Sequence, residues 1–119
     1  PGDHGTTFGG NPLAAAAVSV TLDIFAKNNI VQHVAETGAY LGERLEEIVK
    51  AKKIARETRG LGLMRGLELT EAAGPYVMKA LEKGLILMSA GTNVIRFVPP
   101  LVIEKKHVDE MTAVLDKIL

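Results

Sequence analysis

The sequence predicts an α+β fold, a small and mainly antiparallel sheet covered by helices. Three observations predict it. In the first half, apolar residues recur at helical spacing, Val34, Leu41, Leu45 and Ile48 among them. The texture then changes to short apolar runs split by Gly60, Gly62 and Gly66. Beyond these lie a short helical segment, two short strand-like runs and a last amphipathic stretch through Val108, Met111, Leu115 and Ile118.

The elements follow in order. Asn11 is a good N-cap, and Pro12 suits the first helical position, where a missing N–H costs nothing. The run LAAAAVSVTLDIFAK predicts the first helix, with Val18, Leu22 and Phe25 on one stripe and Ala14 to Ala17 forming a smooth face. Asn28-Asn29 breaks it. A second helix is predicted over 30–53, its apolar face built by Ile30, Val34, Leu41, Leu45 and Ile48 with Ala35, Gly38 and Gly42 as small partners. Lys50, Lys52 and Lys53 are ordinary helix-end charges that suit the negative end of its dipole. ARETRGLGLMRGLELT predicts one or two strands with a turn or bulge. GPYVMKALEKG predicts a short helix, with Pro75 near its start and Gly84 just past its end. LILMS reads as a strand, AGTN as a turn, and VIRFV as a strand that pairs back in a hairpin. Pro99-Pro100 cannot donate to a ladder and ends it. The last helix is predicted over 105–119. Its N-cap, Glu104, is poorer than Ser or Thr by about 1 kcal/mol.

Composition narrows the function classes. At 119 residues the chain is of single-domain size, and 47% hydrophobic with 24% charged residues is globular rather than disordered. Basic and acidic residues balance, so no bulk charge draws the chain to nucleic acid or an anionic membrane. The absence of cysteine rules out disulfides and thiolate metal sites and fits a reducing, cytoplasmic setting. The three histidines, His4, His33 and His107, are far apart and predict no metal site. Nothing in the chain is long and apolar enough to span a membrane, and no signal-peptide pattern leads it. A chain beginning at Pro1 is expected to be a piece of a longer protein.

Two places carry candidate chemistry. In DHGTTFGGNP, Gly5, Gly9 and Gly10 permit close backbone approach, Thr6 and Thr7 offer hydroxyls, and a positive helix N-terminus follows. The pattern is neither a Walker phosphate loop nor a dinucleotide fingerprint. A glycine turn that merely caps the helix explains it as well. His4 beside Asp3 is a candidate general base of little specificity. In VIRFV, Arg96 shares a strand face with Val94 and Val98, opposite Ile95 and Phe97. A guanidinium on an apolar face either pairs with an acid, lies at an exposed edge, or awaits a carboxylate. Arg59 and Arg65 read as solvated strand-end charges.

These same residues carry a family resemblance. PGDHGTTFGGNPLA resembles the segment of class III, ornithine/acetylornithine-type, pyridoxal-phosphate aminotransferases that follows the lysine-bearing part of their large domain. NVIRFVPPLVI resembles the hydrophobic-Arg-Phe-x-Pro-Pro-Leu signature near the end of the same proteins. TRGLGLMRGLEL and EKGLIL match strand regions between them, so the resemblance spans all 119 residues in order. The Thr-Thr-Phe form of the first motif is most similar to acetylornithine-type members.

The resemblance implies the C-terminal small domain of a fold-type-I enzyme, preceded by a long connecting helix. Residues 1–12 would form a cofactor-proximal loop at the large-domain edge, 13–53 the connecting helix and first small-domain helix, and 54–119 the rest of the α+β domain. It implies a parent that transfers the amino group of N-acetylornithine to 2-oxoglutarate in arginine biosynthesis, with pyridoxal 5'-phosphate as cofactor. Ornithine, succinylornithine or 4-aminobutyrate are the alternative donors, and a non-catalytic interaction domain is the reading from another class. The parent would be a homodimer with shared active sites, Thr7 reaching the cofactor phosphate held by the other subunit and Thr6 lying near substrate. Arg96 would engage a substrate carboxylate or an active-site glutamate. The Schiff-base lysine of the family lies upstream, and neither Lys27 nor Lys50 has its context. No catalytic residue is therefore expected in this segment, and the segment alone is expected to be inactive. Without a large-domain partner, Leu13 to Lys27 would expose its stripe and favour self-association or swapping.

Overall fold

The computed structural model of the chain describes residues 4–119. They fall into two units, the first ending at Val31 and the second formed by Gln32–Leu119. In the first, a loop leads into α1 (Pro12–Lys27). Asn11 caps this helix from an extended backbone: its Oδ1 accepts the Ala14 N–H at 3.0 Å, and its Nδ2 donates to the Phe8 carbonyl at 2.7 Å. No residue of α1 is buried, and Leu13, Val18, Val20 and Leu22 are all exposed. Asn29, at φ 49°, makes the break before α2 (Ile30–Ala51).

The strands of the second unit are β1 (Ala55–Leu61), β2 (Met64–Leu69), β3 (Met88–Ala90) and β4 (Val94–Phe97). They form one antiparallel sheet in the order β1-β2-β4-β3. Between β2 and β3 runs α3 (Gly74–Glu82), and α4 (Lys105–Ile118) closes the chain. The LILMS segment pairs only from Met88 onward, so the strand is shorter than its apolar run. Leu85 to Leu87 stay unpaired, with Leu85 and Leu87 packing on the core instead. Gly84, at φ 79°, ends α3 by donating to Leu81 at 2.9 Å, while Leu85 donates back to Ala80 at 2.9 Å.

Sheet register explains the core. Leu67 stands opposite Ile95 and Arg65 opposite Phe97, so one face carries Leu67, Leu69, Ile95 and Phe97. These pack with Leu41, Leu45 and Ile48 of α2, Tyr76 and Ala80 of α3, and Val108, Leu115 and Ile118 of α4. The helix stops at Ala51 rather than Lys53 because Ile54 and Ala55 are needed in that core and the chain must extend to place them. Lys52 is accordingly no free helix-end charge: its Nζ reaches the Asp116 carbonyl at 2.6 Å and carboxylate at 3.1 Å. The weak cap expected at Glu104 is offset by His107, whose Nδ1 accepts the Glu104 N–H at 2.9 Å.

The tightest contact joins α2 to the β1–β2 turn. Gly62, at φ 54°, occupies the first central position of that two-residue turn, where glycine is favoured. A Cβ on Gly38 would lie 2.3 Å from the Gly62 carbonyl carbon, so the two backbones meet with no room for a side chain. Arg65 ties the contact: its Nη2 donates to Gly38 O at 2.9 Å and its Nε to Gly62 O at 3.0 Å. Arg65 is therefore a part-buried structural clamp, not the solvated strand-end charge expected from its position.

Gly38→Ala tests which effect wins. Helix propensity alone favours alanine by about 1 kcal/mol. Because both clashing groups are backbone, overpacking should dominate and leave a net loss of about 2 kcal/mol in urea unfolding. A more stable variant would show that the approach is looser than this.

Candidate functional site

The first unit holds the threonine loop. Thr6 Oγ1 accepts the Gly9 N–H at 3.1 Å, and Gly10, at φ 75°, turns the chain into Asn11. The loop is thus a cap for α1, the plainer of its two readings, yet this does not use up its donors. The Thr6 hydroxyl hydrogen remains free to donate, and Thr7 is exposed with no hydrogen bond to the described residues. His4 is exposed, while Asp3, its proposed neighbour, lies outside the described residues.

The second unit holds Arg96. Its strand is internal, flanked by β2 and β3, so the exposed-edge explanation does not apply. Ile95 and Phe97 turn into the core, and Arg96 stands on the opposite, helix-free face beside Val94. Gly66 and Met88 are its cross-strand neighbours. No acid pairs with it among the described residues. Its one polar contact is Nη2 to Met88 Sδ at 3.7 Å, a weak acceptor. A side chain at Gly66 would press first on Val94, whose Cγ1 lies 3.2 Å from where that Cβ would stand.

The same face carries a compensated cluster one row away. The register shifts between Ala55 and Glu57, a bulge that sets both Arg56 and Glu57 against Glu68. Glu68 accepts from Arg56 Nη1 at 3.0 Å and from Arg59 Nη1 at 2.7 Å. Arg59 also pairs with Glu57. Arg59 is exposed, the solvated charge expected, and it is ion-paired as well. This cluster was readable in principle: the turn at Gly62-Leu63 places Glu68 across from residue 57 by counting outward. Composition and motif spacing gave no such signal. The contrast matters, because the neighbouring arginines are neutralised internally and Arg96 is not.

A cavity of 370 Å³ opens beside Arg96, bounded by the Leu85–Met88 segment, the end of β4, Pro99-Pro100, α2 and α4. Arg96 and His107 bear the polar side chains in its lining. The Pro99–Glu104 loop that forms one wall is held by His33, whose Nε2 lies 2.8 Å from the Ile103 carbonyl.

The second unit is thus an antiparallel sheet with helices on one face and, on the other, an exposed arginine that has no acidic partner among the described residues. The chain matches the family model Aminotransferase class-III over residues 1–119, and it belongs to that family. It is 47% identical over 120 residues to the acetylornithine aminotransferase of Caldanaerobacter subterraneus subsp. tengcongensis, covering 100% of this chain and 30% of the relative. Against the acetylornithine aminotransferase of Aquifex aeolicus the identity is 48% over 119 residues, with the same coverage of each. The fold is also similar to Plasmodium falciparum ornithine delta-aminotransferase, with a TM-score of 0.87, 36% identity, and 99% of this chain matched to 31% of that one. The chain thus spans about 30% of the length of these relatives.

Class-III aminotransferases depend on pyridoxal phosphate. Each unit offers a group of a kind that such chemistry uses: in the first an exposed hydroxyl beside glycine backbone, suited to a phosphate, and in the second a guanidinium without an acidic partner among the described residues, suited to a carboxylate.

The Glu68 cluster makes a pH prediction. The Arg59 hydrogen bond, helped by Arg56, holds the Glu68 carboxyl below its ordinary value of 4.5, against the partial burial that pushes it up. A depressed carboxyl stabilises the fold above the ordinary value, and that contribution is lost as pH falls through the folded one. Glu68→Gln should therefore be less stable than the parent chain at about pH 7, with the gap closing at about pH 3. Urea unfolding at both pH values checks this; an unchanged gap would mean that the pairs do not hold in solution.

Proposed function

We propose that this chain is the C-terminal part of a pyridoxal-phosphate-dependent transaminase of the acetylornithine type, moving an amino group between an amino acid and a 2-oxo acid. The observation that carries the reading is Arg96: a guanidinium on an internal strand, left unpaired where the arginines beside it are neutralised. The Arg-Phe-x-Pro-Pro context of the family supplies its role. Residues 1–12 are the cofactor-proximal loop, 13–53 the connecting and first small-domain helices, and 54–119 the remainder of the small domain.

When bound, the cofactor supplies the electrophilic carbon and the electron sink for amino transfer. The work of this chain is to bind and orient. Thr7 donates its hydroxyl to the cofactor phosphate of a partner subunit in a homodimer. Thr6, already fixed by Gly9, borders the substrate. Arg96 grips a substrate carboxylate through its forked donors, which fixes the direction of the amino acid chain. The acetylornithine donor is favoured by the Thr-Thr-Phe loop and by the names of the relatives, with an ornithine donor as the near alternative.

In the full-length parent, Arg96→Gln should raise KM for the amino acid about ten- to hundredfold, the value of a charge-assisted pair, with the cofactor absorbance unchanged. Thr7→Val should instead weaken cofactor binding and leave substrate KM for the loaded enzyme near the parent value. Effects exchanged between the two variants would overturn these roles. The 119-residue chain mixed with pyridoxal phosphate should give neither turnover nor a lysine-linked absorbance band. Alone, it should also associate through the uncovered α1, which light scattering across a concentration series would detect.

A further inference from the structure

Among the described residues, Met88 is the one methionine whose sulfur takes a hydrogen bond. It lies directly across from Arg96 in the β3–β4 ladder, so both side chains rise from the helix-free face. Its Sδ accepts from Arg96 Nη2 at 3.7 Å and is the one side-chain acceptor of Arg96 among those residues. A thioether is a weak acceptor, so the contact steers the guanidinium without neutralising it. Met88 is also 53% exposed, on an edge strand, and open to reagents from solvent. The chain has no cysteine, so methionine is its oxidisable sulfur.

We propose that Met88 is a reversible oxidation site whose sulfoxide captures Arg96. Hydrogen peroxide transfers one oxygen to Sδ: a sulfur lone pair attacks that oxygen, the O–O bond breaks, and the departing hydroxide takes a proton and leaves as water. Sulfur loses two electrons and the peroxide gains them. The product, methionine sulfoxide, is polar, and its S=O oxygen is a far stronger acceptor than the thioether. That oxygen forms on the atom already beside Nη2, so the guanidinium turns to it in a charge-assisted bond. The core tolerates the change, because Leu67, Ile95 and Phe97 fill it from the other face of the sheet. Met64 and Met78 are exposed too, but neither takes a hydrogen bond from Arg96. A thiol-dependent methionine sulfoxide reductase removes the oxygen as water, oxidising two thiols to a disulfide, and restores the weak contact. The inference rests on the proposed role of Arg96 in gripping a substrate carboxylate and adds a control on that grip.

In the 119-residue chain, hydrogen peroxide should shift the Arg96 Nε–H signal in NMR. The Met88→Leu chain, treated until Met64 and Met78 are oxidised, should show no such shift. In the full-length parent, peroxide should raise KM for the amino acid about tenfold, the value of one charge-assisted hydrogen bond, with kcat near its untreated value. Methionine sulfoxide reductase with a dithiol should reverse the rise. Met88→Leu should keep its own KM through the same treatment. Met88→Gln, whose amide carbonyl imitates the sulfoxide oxygen, should show the raised KM with no oxidant. An unmoved Arg96 signal, or an equal KM rise in Met88→Leu, would overturn the inference. Arg96→Gln separates the two failures, since it tests the role of Arg96 without oxidant. If that variant leaves KM unchanged, the proposed role falls, and the Arg96 signal alone decides whether oxidised Met88 captures the guanidinium.

Discussion

The second unit depends on the meeting of two glycines. Where Gly38 in α2 touches Gly62 in the β1–β2 turn, helix and hairpin come closer than any Cβ allows. Arg65 then bonds the carbonyl of each, so the contact is held by polar bonds as well as by shape. Everything downstream inherits this geometry. The turn fixes the β1–β2 register, β2 templates β4, and β4 fixes the face on which each of its side chains appears. A one-residue slip would bury Arg96 and expose Ile95 and Phe97. The glycine contact is thus how a helix packed on one face of the sheet bears on which face Arg96 takes.

The two sheet faces divide the labour. Leu67, Leu69, Ile95 and Phe97 hold the helices on one side. The other side is polar along the Glu68 row, and its charges are largely self-satisfied. Glu68 draws two arginines, and the bulge at Arg56 is what brings the first within reach. Had that bulge been absent, Arg56 would point to the helix side and Glu68 would depend on Arg59 alone. Among the described residues, no acid pairs with Arg96. An unpaired arginine on an internal strand is kept so by what surrounds it.

Much of this was legible in the residues and some was not, for identifiable reasons. The α2 face read correctly because Leu41, Leu45 and Ile48 obey one period, and the split of Arg96 from Ile95 and Phe97 follows from strand alternation alone. Asn11 and Pro12 announced α1 because capping is local. Arg65 was misread because its partners, the carbonyls of Gly38 and Gly62, are backbone atoms that no residue type advertises. Arg59 was read correctly as a solvated charge, but its pairing with Glu68 was hidden because it needs a register, and a register needs the exact turn. Glu104 looked like a poor cap because the compensating imidazole of His107 belongs to a pairing rarer than the Ser–Glu box. The α2 end was misplaced since Lys52 and Lys53 suit a helix terminus, whereas the core demand for Ile54 and Ala55 is tertiary. The roles of Thr6, Thr7 and Arg96 came from resemblance, and what the geometry adds is that all three side chains retain a donor to give.

The Arg-Phe-x-Pro-Pro run then makes physical sense as a single device. Phe97 turns into the core and anchors the strand end that Arg96 precedes. Pro99 and Pro100 lack amide donors, so the ladder with β2 and β3 cannot extend past them and the chain must leave the sheet. Leaving there brings the Ile103 carbonyl to His33 and delivers Glu104 to the start of α4, where His107 receives its N–H. The strand, its stop and the two imidazole contacts together hold the short loop after Arg96, and the Glu104 carboxylate completes its far end by accepting the His107 backbone N–H. Pro99 and Pro100 thus set where the strand ends, and the imidazoles of His33 and His107 set where the loop after it lies.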